Sequence, residues 1–286
     1  MGMIKNILFP VDFSQSCVAM GAYVKRTAAL LGASVSLIHV FDPNGHSGLE
    51  LSVRTLAEIA DEHLEIARDR LDSFLQAEFP RAQHPRLIAA GEPATQIADT
   101  ARCSFDLIIM PTHAGSFQRM LLGSTTANVL NNVDCPVLTS KHADTVTPRP
   151  TGHRKWLCAI GVDHNSEGIL RYAHLASLEM HGNLRIIHAI PAKSELPLQL
   201  DLDQRMGHED RQRAHEWIDD LQRRVGSQAP VRIAGGSVKE SLLEAAAEFE
   251  ADVIVMGRRH RPGAHRRLSD LTYAVVRDSP FPVLSV

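Results

Sequence analysis

The chain has 286 residues, 44% of them hydrophobic and 22% charged, with a formal net charge of −3. This is a soluble, globular composition long enough for two domains, and the mild charge gives no reason to expect nucleic acid or a membrane surface as a partner. No apolar run approaches the ~20 residues of a membrane span, and the opening MGMIKNILFPVDFS lacks a signal-peptide layout, so a cytoplasmic protein is expected.

In chain order, residues 6–11 form an apolar strand that ends at Asp12-Phe13-Ser14, where Asp12 and Ser14 are good helix N-cap types. A helix over 16–31 follows and Gly32 stops it; 34–40 is a second strand with His39 near its end. Residues 42–52 read as a loop, and Leu56, Ala60, Leu64, Ala67, Leu71 and Leu75 then recur at helical spacing. A short strand at 87–90, a Gly91-Glu92-Pro93 turn and a helix over 94–101 lead to the most informative stretch, 105–140. There the apolar run 107–110 suits a strand buried on both faces. A loop with Gly115 and Gly123, a short helix through Leu130 and a Pro136-Val137-Leu138 strand complete it.

The pattern then repeats. Met110 to Pro136 and Met256 to Pro282 have the same separation, so the chain reads as two copies of one module, 1–142 and 155–286, joined by a linker over 143–154. In the second copy, 155–162 is a strand ending in Asp163, 169–179 a helix, 184–190 a strand with His188 near its end, and 191–204 a loop. Residues 205–224 are helical with Trp217, Ile218 and Leu221 on one face; 231–234 is a strand, and Gly235-Gly236 leads into a helix over 239–250.

Strands alternating with helices give an α/β protein: two tandem open, doubly wound parallel five-stranded sheets with right-handed crossovers. Ligands of such sheets bind outside the strand C-termini, where strand order reverses. The strand-tip loops start at Asp12, Phe41 and Met110, with Asp163, Ala189 and Met256 as counterparts. Each copy ends in a Pro-Val-Leu strand, and antiparallel pairing of these edges would hide both and make an internal pseudo-dimer.

FPVDFS (9–14), LIHVF (37–41), GEPATQIADTA (91–101), DLIIMPTH (106–113), LLGSTTANVL (121–130) and CPVLTS (135–140) resemble the universal stress protein family. GVDHNS (161–166), RIIHAI (185–190), ADVIVMGRRH (251–260) and FPVLSV (281–286) repeat the resemblance, so the chain looks like the tandem form with a Rossmann-like sheet in each copy. The family includes ATP-binding members and members that bind none. In the former, the resemblance implies, the Asp after strand one meets the adenine and ribose end, and a residue at the end of strand two flanks the base. A loop of form G-x2-G-x9-G-[ST] holds the phosphates through main-chain amides. Carried over, this gives a first-copy nucleotide site at Pro10, Val11, Asp12, Ser14 and Val40, with Met110, Thr112, His113, Gly115, Gly123, Ser124 and Thr125 at the phosphate end. A weaker second-copy site follows at Val162, Asp163, Ala189, Met256, Gly257, Arg258 and Arg259.

Both copies depart from the loop pattern. In the first, Pro111 and Ala114 stand where the leading glycines belong, and Gly123-Ser124-Thr125 closes one residue early. In the second, Gly257 is kept but His260 replaces the next glycine and Ser269-Asp270 closes the loop. Arg258, Arg259, Arg261, Arg266 and Arg267 lie in that loop, where arginines either stay solvated or hold an anion. Asp12 and Asp163 read equally as helix caps, and His39 and His188 as buried, hydrogen-bonded histidines. Cys17, Cys103, Cys135 and Cys158 have no paired spacing, so neither a disulfide framework nor a metal site is expected. No nucleophile–base set is visible. Two readings follow: a stress-response protein that binds an adenine nucleotide such as ATP or ADP without strong catalysis, slow ATP hydrolysis being incidental, and a nucleotide-free module acting through protein contacts. Further homodimerisation fits either reading.

Overall fold

The structure is a computed structural model that describes residues 2–41, 56–112, 122–141, 152–191, 200–258 and 269–286. The chain divides into two compact units, Met1–Val146 and Thr147–Val286. Most of the expected linker at 143–154 lies outside the described residues.

In unit 1 the order is β1 (Asn6–Pro10), α1 (Gln15–Leu31), β2 (Ser34–Phe41), α2 (Leu56–Ser73), β3 (Arg86–Ala90), α3 (Pro93–Ser104), β4 (Leu107–Pro111), α4 (Ser124–Asn132) and β5 (Val137–Ser140). Its strands lie in the order β3-β2-β1-β4-β5, every pair parallel. Unit 2 runs β6 (Lys155–Ala159), α5 (Ser166–Glu179), β7 (Asn183–Ile190), α6 (Leu200–Val225), β8 (Val231–Gly235), α7 (Val238–Phe249), β9 (Val253–Met256), α8 (Asp270–Asp278) and β10 (Val283–Ser285). Its strands lie in the order β10-β9-β6-β7-β8, again all parallel. The expected pair of open, five-stranded, doubly wound sheets is therefore the fold. Strand order reverses between β1 and β4 in unit 1 and between β6 and β9 in unit 2, which places the two crevices. Among the described residues, no helix is long and apolar enough to cross a membrane.

β4 and β9 are apolar throughout because both faces of each are covered. All of β4 and all of β9 are buried. α1 turns Met20, Val24 and Ala28 inward and stops at Gly32, whose φ of 61° closes the helix in the left-handed region. Strands β3 and β8, at one edge of each sheet, are only partly covered.

Three expectations change. Leu75 shares the spacing of the α2 stripe, yet the helix ends at Ser73 and Leu75 takes φ 50°. Its side chain packs where a Cβ on Gly21 would stand 3.0 Å from Leu75 Cδ1, so this glycine makes room for the departing chain. Residues 200–204, expected in a loop, are the start of α6; Leu200-Asp201-Leu202-Asp203-Gln204 alternates apolar and polar residues, so no helical period marked its start. β6 stops at Ala159 and α5 begins at Ser166, which shortens the expected strand and lengthens the expected helix.

Two matched devices fix the ends of the central strands. At the lower end, Asp106 Oδ2 accepts from the Lys5 and Asn6 amides at 2.9 and 3.0 Å, and Asp252 Oδ2 accepts from the Arg154 and Lys155 amides at 2.7 and 3.0 Å. At the upper end, His39 Nδ1 lies 2.8 Å from the Val11 carbonyl and His188 Nδ1 2.9 Å from the Ile160 carbonyl. A carbonyl only accepts, so each Nδ1 carries its proton and donates.

Removing the Asp106 carboxylate orphans two strand-start amides. Asp106→Ala is expected to destabilise unit 1 by about 1–2 kcal/mol, read as a lower urea midpoint with the unit 2 transition unchanged. Burial first, then the Arg70 guanidinium, lowers the His39 pKa below its ordinary value, against the raising effects of the Val11 bond and Asp12. The folded chain then binds fewer protons at His39 than the unfolded chain, so stability falls as pH drops through about 6.5. In urea titrations from pH 7.5 to 5, His39→Gln is expected to show a flatter decline than the parent; identical slopes would contradict it.

Candidate functional site

The unit 1 crevice is built where β1 and β4 end side by side. Their register pairs Ile7 with Leu107 and Leu8 with Ile108, which carries Val11 to the level of Pro111. The Val11 amide donates to the Ile38 carbonyl at 2.8 Å, one step beyond the strand. Phe13 then takes φ 61°, a conformation that costs a non-glycine residue on the order of 1 kcal/mol. Packing offsets that strain: the Phe13 ring lies 4.3 Å from His39 and 5.2 Å from Phe74, with Arg70 Cζ 4.4 Å above it. The sharp turn sends the chain straight into α1 and leaves Asp12 exposed at the strand tip.

Asp12 is held by one oxygen. Its Oδ1 accepts from the Ser14 amide at 2.9 Å and faces the Cys17 thiol at 3.1 Å, while Ser14 Oγ caps α1 by accepting from the Cys17 amide at 3.3 Å. Oδ2 has no partner among the described residues. Burial and then the Asp12 carboxylate push the Cys17 thiol up to about 12, so it is protonated and able to donate.

Beside Asp12 stands the start of α4. Gly123 is its N-cap and supplies no side-chain cap bond. The Gly123 amide itself turns inward to the Thr112 carbonyl at 2.9 Å, and the Thr112 amide donates to Ser140 at 3.3 Å. The amides of Ser124 and Thr125, in the first turn, have no partner among the described residues. Such a helix start attracts an anion. Thr126, buried below, donates its hydroxyl to the Pro111 carbonyl at 3.0 Å and ties helix to strand tip. Pro10, Met110 and Thr112 are buried and Val40 half-buried, so these four bring mainly backbone to the tip. His113 and Gly115 lie outside the described residues.

Unit 2 repeats the frame with different chemistry. His39 and His188 identify Val11 and Ile160 as the same register position, so Asp163 lies two residues further from its strand than Asp12 does. The matching of Asp12 with Asp163 as equivalent positions is thereby corrected. The carboxylate nevertheless reaches a similar place: Asp163 Oδ1 accepts from the Asn165 amide at 2.9 Å and faces Ser166 Oγ at 3.2 Å. The extra residues leave Val162 54% exposed, against 5% for Val11.

The second helix start carries a side-chain cap on one of its amides. Ser269 Oγ accepts from the Thr272 amide at 3.1 Å and caps α8, and Asp270 puts a carboxylate in the first turn. Gly257 has a packing explanation, since an added Cβ would come 2.4 Å from Ile169 Cδ1. Arg258 is 9% exposed, with its amide donating to Val286 at 2.9 Å, so it is not a solvated loop arginine. Met256 is buried and Ala189 pairs with Ala234 in the sheet. Arg259, His260 and Arg261, with Arg266 and Arg267, lie outside the described residues.

Two contributors went unread in the sequence. Thr272 donates to the Gly257 carbonyl at 3.2 Å as Thr126 does to Pro111, and the only signal was a threonine at equal distance in both copies. The role of Cys17 had a similar faint trace in Ser166, which holds the corresponding place in α5. Among the described residues, no group of three or more His, Cys, Asp or Glu side chains is placed to hold a metal ion.

The signature of the Universal stress protein family matches residues 3–141 and again 153–286. Universal stress protein MJ0577 of Methanocaldococcus jannaschii is 30% identical over 155 residues, covering 49% of this chain and 96% of that protein. Universal stress protein MJ0531 of the same organism is 29% identical over 143 residues, covering 49% and 83%. A crystal structure of a universal stress protein from Archaeoglobus fulgidus shares the fold at a TM-score of 0.68 and 22% identity, covering 98% of this chain and 97% of that one. With both sheets, both strand-order reversals and both halves of the sequence accounted for, the chain belongs to the universal stress protein family and carries its module twice.

Proposed function

We propose that unit 1 binds an adenine nucleotide, ATP or ADP, and that the protein works as a nucleotide-responsive stress module without strong catalysis. The observation that carries this is the meeting, at the β1–β4 reversal, of Asp12, with one carboxylate oxygen unpartnered, and the uncapped start of α4. A carboxylate only accepts hydrogen bonds, so it suits a hydroxyl-bearing group; an uncapped helix start suits an anion. A phosphorylated sugar presents both. The resemblance to nucleotide-binding family members supplies the adenine.

Unit 2 lacks this combination. Ser269 takes the Thr272 amide of α8 and Asp270 sets a carboxylate against phosphate there, so the reading is one nucleotide per chain. Heat release followed by chromatography, or calorimetry with ATP, is expected to give a stoichiometry near one. Asp12→Ala is expected to abolish the ATP-dependent rise in melting temperature, while Asp163→Ala leaves it intact. Two per chain would overturn the restriction of binding to unit 1.

A second reading is a nucleotide-free protein that acts through contacts with other proteins. Pro111, which has no amide, and the inward Gly123 amide favour it, because both withdraw donors from the phosphate end. No released nucleotide, no calorimetric heat with ATP or ADP and no shift in melting temperature would decide for it.

A further inference from the structure

We propose that Cys17 is a positioning residue for the unit 1 site: its thiol proton holds Asp12 Oδ1 inward so that Oδ2 is presented to a hydroxyl of the ligand. This rests on the nucleotide reading of unit 1 and deepens it by naming what the aspartate recognises.

The geometry at Cys17 leaves its proton one near acceptor. Sγ is 3.1 Å from Asp12 Oδ1 and 3.8 Å from the Pro10 carbonyl, and the side chain is 2% exposed. The thiol is thus directed at the carboxylate rather than at the backbone. The Ser14 amide reaches the same oxygen at 2.9 Å, so two donors converge on Oδ1 and none of the described residues on Oδ2. An exposed aspartate without such donors samples several rotamers; two donors on one oxygen select one of them.

Unit 2 is the internal comparison. Ser166 stands at the corresponding place, fully buried, with one hydroxyl proton and two acceptors: the Gly161 carbonyl at 2.7 Å and Asp163 Oδ1 at 3.2 Å. The nearer acceptor is the backbone, so this proton goes to Gly161 rather than to the carboxylate. The earlier aspartate in unit 1, nearer than the Pro10 carbonyl, reverses that choice. Fixing the carboxylate before the ligand arrives spares its ordering on binding, which raises affinity for a hydroxyl donor.

The test uses the full-length protein with Cys17→Ala, which removes the donor, and Cys17→Ser, which keeps one. In calorimetry, Cys17→Ala is expected to weaken ATP by about 3- to 10-fold, the effect of one lost hydrogen bond, and Cys17→Ser to restore most of it. With 2',3'-dideoxy-ATP as probe, parent and Cys17→Ala are expected to bind equally, because the hydroxyls that Asp12 receives are gone. Equal weakening with both nucleotides means a structural defect and overturns the proposal, as does no weakening with either. A ligand-free readout separates this from failure of the nucleotide reading: three-bond couplings across the Asp12 Cα–Cβ bond are expected to report one rotamer in the parent and averaging in Cys17→Ala. An averaged Asp12 in the parent, or an unchanged single rotamer in Cys17→Ala, overturns the positioning role whether or not ATP binds.

Discussion

The full burial of the central strands governs the rest of each unit. β4 and β9 expose no face to water, so every polar group along them is spent on the parallel ladder, and chemistry is possible only where they end. The reversal of strand order next to them then leaves a gap in helix coverage at that end. The aspartate after β1 and the helix start after β4 are neighbours for this reason, although about 110 residues separate Asp12 from Ser124 in the chain. Thr126 and Thr272 tie the helix starts to the strand tips, and His39 and His188 tie the exits of β1 and β6 to the adjacent strands.

The two units show how a shared frame can carry different end groups. The sheets, the histidine pins, the threonine ties and the strand-start aspartates are matched, because each satisfies buried or strand-end backbone groups that any copy must satisfy. The helix starts answer to no such requirement. One copy has an uncapped glycine entry and the other a serine cap with an acid behind it, and the same frame carries both.

The sheets were legible because their signals are strong and redundant. Four or five consecutive apolar residues bounded by turn formers, twice over at equal spacing, leave few alternatives to a duplicated parallel sheet. The site was legible only in outline. Asp12 could be read as both cap and ligand group, and it does hold the Ser14 amide while keeping an oxygen for something else. Gly257 looked like a retained phosphate glycine, but the Ile169 side chain across from it is invisible to a pattern within one loop. The two-residue slip between Asp12 and Asp163 was hidden for a related reason. Sequence likeness aligns the Val-Asp pairs, whereas the histidine bonds align the backbone. The start of α6 alternates apolar and polar residues, so helical periodicity could not find it.

The buried thiol beneath Asp12 is shielded from reaction with solvent-borne reagents. Oxidants such as peroxide attack the thiolate, and burial and then the Asp12 carboxylate push this thiol up to about 12, so at neutral pH it keeps its proton. The carboxylate that faces the sulfur keeps the proton on it, and burial keeps the reagent out. Unit 1 thereby keeps a protonated sulfur beneath the aspartate at its strand tip, and the carboxylate that faces outward through one oxygen acts inward on that proton through the other.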